Sequence, residues 1–71
     1  KKTQTDDELQ EYIVAGLPKI STTLSKRLLA TFGTPERVFT ANESELMAVD
    51  GIGKKLAIMI RHALTIGYGV R

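Results

Sequence analysis

Apolar residues recur at helical spacing along this chain, and polar caps, glycines and prolines cut the pattern into five segments. Leu9, Tyr12 and Ile13 form an i, i+3, i+4 stripe on a helix that Thr5 or Asp6 caps and that runs through about Val14. Gly16 and Pro18 end it. A second helix, capped by Ser21 or Thr22, spans about Thr22 to Phe32, with Leu24, Leu28 and Phe32 on one face and Leu29 beside them. Lys26 and Arg27 look away from that face, and Gly33 is placed to stop the helix. Thr34-Pro35 restarts a short helix to Phe39 or Thr40, with proline at its first position. Asn42-Glu43-Ser44-Glu45 has capping-box spacing and opens another, through about Ala48. The last helix begins near Gly53 and continues to about Ile66, with Leu56, Met59, Ile60, Ala63 and Leu64 as its buried stripe. No segment alternates as a strand does, so the expected class is all-α.

The pattern repeats with an offset of 32 residues. Leu17 then lies under Val49, Ile20 under Ile52, Leu24 under Leu56, Leu28 under Ile60 and Phe32 under Leu64, all apolar pairs. The turns within the repeats differ, because Gly51 lies over Lys19 and Gly53 over Ser21. The chain therefore reads as two helix–turn–helix repeats bridged by the Pro35–Thr40 helix. Residues 6–66 form one domain, 1–5 a linker and 67–71 a tail.

A glycine-rich turn that feeds a helix N-terminus is suited to anions. Its amides point outward, the helix dipole favours negative charge, and missing β-carbons let a phosphate come close. The amides of Gly51, Gly53 and Lys54 are candidate donors, Lys54 and Lys55 supply charge, and Ile52 anchors the turn inward. The plainer alternative is that Gly51 stops one helix and Gly53 starts the next. The first turn keeps its anchors Leu17 and Ile20 and has neither glycine. Lys19 offers charge there, and Ser21, Thr22 and Thr23 offer hydroxyls, either to phosphate oxygens or to the helix as caps.

Seventy-one residues make one domain with a thin core. Without cysteine there is no disulfide or thiolate zinc site to staple it. No run of 18 apolar residues occurs, the first residues are polar with no signal-peptide pattern, and the start at Lys1 reads as a piece of something larger. Net charge is only +2, but its distribution is uneven. Asp6, Asp7, Glu8 and Glu11 cluster early, whereas Lys19, Lys26, Arg27, Lys54, Lys55, Arg61 and Arg71 lie in or after the two turns. The early carboxylates decorate a helix start and do not suggest a metal site. Asp50 suits a cap better than a cation site. His62 has no nucleophile or carboxylate partner recognisable by spacing, so no catalytic residue is expected.

Two [Leu/Val]-x-x-Ile-x turns, one of full Gly-Ile-Gly-Lys-Lys character, resemble a tandem helix–hairpin–helix domain. Leu17-Pro18-Lys19-Ile20-Ser21, Lys26-Arg27-Leu28-Leu29, Phe32-Gly33-Thr34 and Val38-Phe39-Thr40 resemble, more narrowly, the C-terminal module of archaeal XPF/Hef-type structure-specific endonucleases. The resemblance covers about residues 10–66. It implies a non-sequence-specific grip on DNA at forks, branches or duplex–single-strand junctions, during repair or processing of stalled forks. Carried onto this chain, it makes Gly51, Ile52, Gly53, Lys54 and Lys55 one clamp, and Lys19, Ile20, Ser21, Thr22, Thr23 and the nearby Lys26 the other. The departures at Lys19 and Ser21 single out the first clamp for testing. The family's nuclease motif, E-R-K-x-x-x-D, is absent from this chain, so neither activity nor cofactor is expected of it; a divalent metal belongs to a separate nuclease domain. The resemblance also implies a homodimer, for which Ile58, Ile66 and Tyr68, apolar and off the core stripe, are the candidate contacts. The implied location is cytoplasmic and nucleoid-associated, with no membrane partner. Two alternatives stay open: a protein-interaction module whose hairpins are relics, and a hairpin module from another repair protein such as a UvrC-like nuclease.

Overall fold

Each of the first four helices starts at a side chain that accepts a hydrogen bond from an otherwise unpartnered backbone N–H. Thr5 and Glu8 close a capping box at 3.1 Å each way, and Asn42 and Glu45 close another at 2.8 and 2.9 Å. Ser21 Oγ accepts from Leu24 N–H at 3.2 Å, and Thr34 Oγ1 accepts from Arg37 N–H at 3.2 Å, ahead of Pro35. Such caps contribute about 1 kcal/mol each. The computed structural model describes residues 5–69. Among them it has no strand and five helices: α1 Asp6–Ala15, α2 Thr22–Phe32, α3 Pro35–Thr40, α4 Glu43–Met47 and α5 Lys54–Thr65. The expected helix bounds hold to within a residue or two. Residues 1–4 of the expected linker, and Val70 and Arg71, lie outside the described residues.

Burial follows the repeat. Val14 and Leu46, Leu17 and Val49, Ile20 and Ile52, and Leu28 and Ile60 are all buried, while Leu24 and Leu56, like Phe32 and Leu64, pack half-buried around them. One further pair, Ser25 and Ala57, is wholly buried and small. α1 packs chiefly on α2 and α4 on α5, and α3, with Val38 buried, rests on α2 and α1. Arg61 on α5 donates to the carbonyl of Phe39 at 2.6 Å and ties the end of α3 to the second repeat. The molecule is 18 Å thick along its shortest axis, about two helices deep.

Two expected stripes are corrected by this packing. On α1, Leu9, Tyr12 and Ile13 are exposed, Tyr12 at 73%, and Val14 is the buried residue, with Gln10 and Glu11 half-buried beside it. The side of α1 that meets α2 is the one that carries wholly buried Val14, and there the buried Ser25 donates its Oγ–H to the carbonyl of Glu11 at 2.7 Å. Docking on α2 therefore takes the Glu11–Val14 side of α1 and leaves the more apolar side outside. On α5, Ala57 and Ile60 are buried and Leu56, Met59 and Leu64 are half-buried, whereas Ala63 is exposed.

Candidate nucleic-acid interface

The two turns have one backbone. α1 ends in Gly16 (φ −72°, ψ −11°) and α4 in Ala48 (φ −69°, ψ −17°), each donating its N–H three residues back at 3.2 Å. Ile20 N–H donates to Leu17 at 3.2 Å, and Ile52 N–H to Val49 at 3.0 Å. Between them Lys19 takes φ 60° and Gly51 φ 96°, both in the left-handed region. Ser21 (φ −81°, ψ 173°) and Gly53 (φ −89°, ψ 178°) then enter α2 and α5 in the same extended conformation. Lys19 thus adopts a glycine's conformation, at a cost of about 1–2 kcal/mol for a residue with a β-carbon.

The side chains make the hairpins unlike. Ile20 and Ile52 are buried, so only their backbone can meet a ligand. Ser21 caps α2, and because a hydroxyl has one donor and two lone pairs, its O–H remains able to donate outward. Capping and phosphate contact are therefore compatible there, contrary to the simple competition expected from sequence. Gly53 gives α5 no side-chain cap, so the Leu56 N–H lacks the partner that Ser21 gives Leu24. Lys54 and Lys55 flank this bare helix start, and Thr22, Thr23, Lys19 and Lys26 stand exposed about the other.

The two glycines of the second hairpin have different causes. A β-carbon on Gly51 would sit 2.7 Å from Leu24 Cδ2 and 3.0 Å from Arg27 Nη1, the far ends of two flexible side chains that can give way, so its φ of 96° is the stronger demand for glycine. A β-carbon on Gly53 would meet nothing within 4 Å, and its φ suits any residue. The fold does not require Gly53, whose backbone lies beside open space.

Two arginines in the basic set are engaged internally. Arg61 holds Phe39, as described. Arg27 Nη1 donates to the Asp50 carbonyl at 3.1 Å and lies 3.8 Å from Asp50 Oδ2. Asp50, expected as a cap, instead receives Arg27 through its carbonyl. Among the described residues no cluster of three or more metal-ligating side chains occurs, and no helix is long and apolar enough to cross a membrane. Ile58, Ile66 and Tyr68 are exposed, Tyr68 completely at 102%, together with Leu9, Tyr12, Ile13 and Met47.

Two hairpins of matching geometry, each opening an amphipathic helix and joined by a connector helix, define a tandem helix–hairpin–helix domain. The chain belongs to the SAM-like helix–hairpin–helix tandem family, whose sequence model matches residues 11–65. It is similar to XPF from Aeropyrum pernix, with a TM-score of 0.85 and 38% identity over 93% of this chain and 34% of that one. In the structure of XPF from Aeropyrum pernix in complex with DNA, the values are 0.86 and 37%, over 94% and 34%. A Methanocaldococcus jannaschii protein named as an ATP-dependent RNA helicase is 51% identical over 61 residues, or 86% of this chain and 8% of that protein. The chain thus spans about a third of the XPF chains and a small part of the helicase.

Proposed function

We propose that this domain grips the phosphate backbone of DNA without reading its sequence, with Gly51–Lys55 as the principal clamp. The observation that carries the reading is Gly53, a glycine that neither φ nor packing requires, at an uncapped helix start between hairpin and lysines. The structure of the similar XPF in complex with DNA supports DNA as the ligand. Lys19, Ser21, Thr22, Thr23 and Lys26, with the backbone at Ile20, form a second clamp that works by side-chain charge and hydroxyls. In the full-length protein the domain directs a structure-specific nuclease to forked or branched DNA in repair or stalled-fork processing. Cleavage and any divalent metal belong to other parts of that protein, which acts in the cytoplasm at the nucleoid. Exposed apolar residues, Ile58, Ile66 and Tyr68 among them, support pairing into a homodimer.

The test is the double variant Lys54→Glu/Lys55→Glu, titrated against a forked duplex at two salt concentrations. Reversing two cations beside the phosphates weakens binding to all sequences and lowers the salt dependence, where log K falls by about 0.9 per neutralised phosphate on duplex DNA. Helicity stays as it was. Unchanged affinity removes the second hairpin from the mechanism. The same exposed apolar residues favour a second reading, an interaction module whose hairpins are relics; it requires no DNA binding by the native chain at either salt.

A further inference from the structure

The glycine-bearing hairpin is held from outside, and the other hairpin is not. With the repeat offset, Pro18 corresponds to Asp50 and Arg27 to Met59. The first hairpin carries a ring that fixes φ at its second position. The second hairpin carries Asp50 there, followed by Gly51, the least restrained of residues. In place of the ring, Asp50 has the Arg27 guanidinium, which reaches across from α2 to its carbonyl at 3.1 Å. Gly51 lies so close over Leu24 and Arg27 that a β-carbon would meet them at 2.7 and 3.0 Å, so the turn rests directly on α2. Among the described residues, no side chain of the second repeat hydrogen-bonds to the first hairpin.

We propose that Arg27 is a positioning residue for the Gly51–Lys55 clamp. Its effect passes through one peptide unit. A trans peptide is planar, with C=O and N–H pointing in opposite directions. A guanidinium that draws the Asp50 carbonyl toward α2 therefore turns the Gly51 N–H away from α2. That N–H makes no hydrogen bond among the described residues and is free for an anion. Arg27 also sets its charge 3.8 Å from the exposed Asp50 carboxylate and offsets a negative charge next to the proposed clamp. The first repeat's helix thus orients the second repeat's grip.

This inference rests on the hairpin reading above, and its test separates the two. In the 71-residue chain, Arg27→Met keeps the side chain's apolar length, uses the residue found at the corresponding position of the second repeat, and removes the fork. Affinity for a forked duplex falls about tenfold, because a disordered turn must be ordered on binding. Adding Asp50→Pro installs the first hairpin's ring and restores most of that loss, whereas adding Asp50→Ala, which removes the same carboxylate without the ring, restores less. Unfolding in urea shows each variant folded before titration; Arg27→Gln, a milder change with the same expected loss, serves if Arg27→Met does not fold. Native-like affinity of the Arg27 variants overturns the inference, as does equal rescue by proline and alanine, which makes charge the whole effect. The Lys54→Glu/Lys55→Glu variant runs alongside. If it loses binding while the Arg27 variants do not, only this inference fails; if it too binds normally, the hairpin reading fails with it.

Discussion

Gly51 sits at φ 96° with its absent β-carbon 2.7 Å from Leu24 Cδ2, while Gly53 sits at φ −89° beside open space. One substitution therefore has two outcomes, two positions apart. Gly51→Ala takes on left-handed strain and pushes aside the ends of Leu24 and Arg27, and it destabilises the domain by about 1–2 kcal/mol. Gly53→Ala leaves stability within about 1 kcal/mol, since a slightly poorer cap offsets a stiffer unfolded chain. Its methyl group nevertheless stands where a phosphate would approach, so duplex affinity falls severalfold. Urea unfolding and a DNA titration on the same two variants check both statements. Gly53→Ala binding as tightly as the native chain ends the bare-backbone account of the clamp. Lys19 completes the comparison: its φ of 60° shows that the first hairpin keeps the same turn at the expense of a strained residue.

At the scale of elements, α1 exchanges its faces. Leu9, Tyr12 and Ile13 satisfy the helical periodicity that marks a core face, and all three are exposed. Periodicity identifies an apolar side; it does not say which neighbour covers it. Here the neighbour is α2, which meets α1 at Ser25, a small, wholly buried residue bonded to the Glu11 carbonyl at 2.7 Å. Ser25→Ala makes the position like Ala57 and removes that bond, at a cost of about 1 kcal/mol. A lower urea midpoint at unchanged helicity is the expected result, and an unchanged midpoint means that packing alone sets the α1–α2 contact. No periodic signal could have found Ser25, a polar residue on a helix, although the 32-residue offset pairs it with an alanine.

The whole molecule is a slab 18 Å thick, and so thin a body leaves large side chains uncovered. The proposed pairing of two copies gives them a place. Removing residues 66–71 takes away Ile66 and Tyr68, and sedimentation of the shortened chain is expected to show a shift from dimer toward monomer; a mass unchanged by the truncation excludes the tail from the contact. By itself the sequence determined the five helices, their caps and the repeat, because capping and helical period act between residues at most a few positions apart. It also pointed to Gly51–Lys55 as the proposed clamp, since glycines and lysines at a helix start are a local pattern. Tertiary structure alone decided which face of α1 is buried, that Arg27 and Arg61 hydrogen-bond within the molecule, and that Gly51 takes a left-handed φ against α2 while Gly53 lies beside open space. Those outcomes depend on which side chains from distant segments meet, and Arg27 and Asp50, 23 residues apart, meet only when the two repeats have packed.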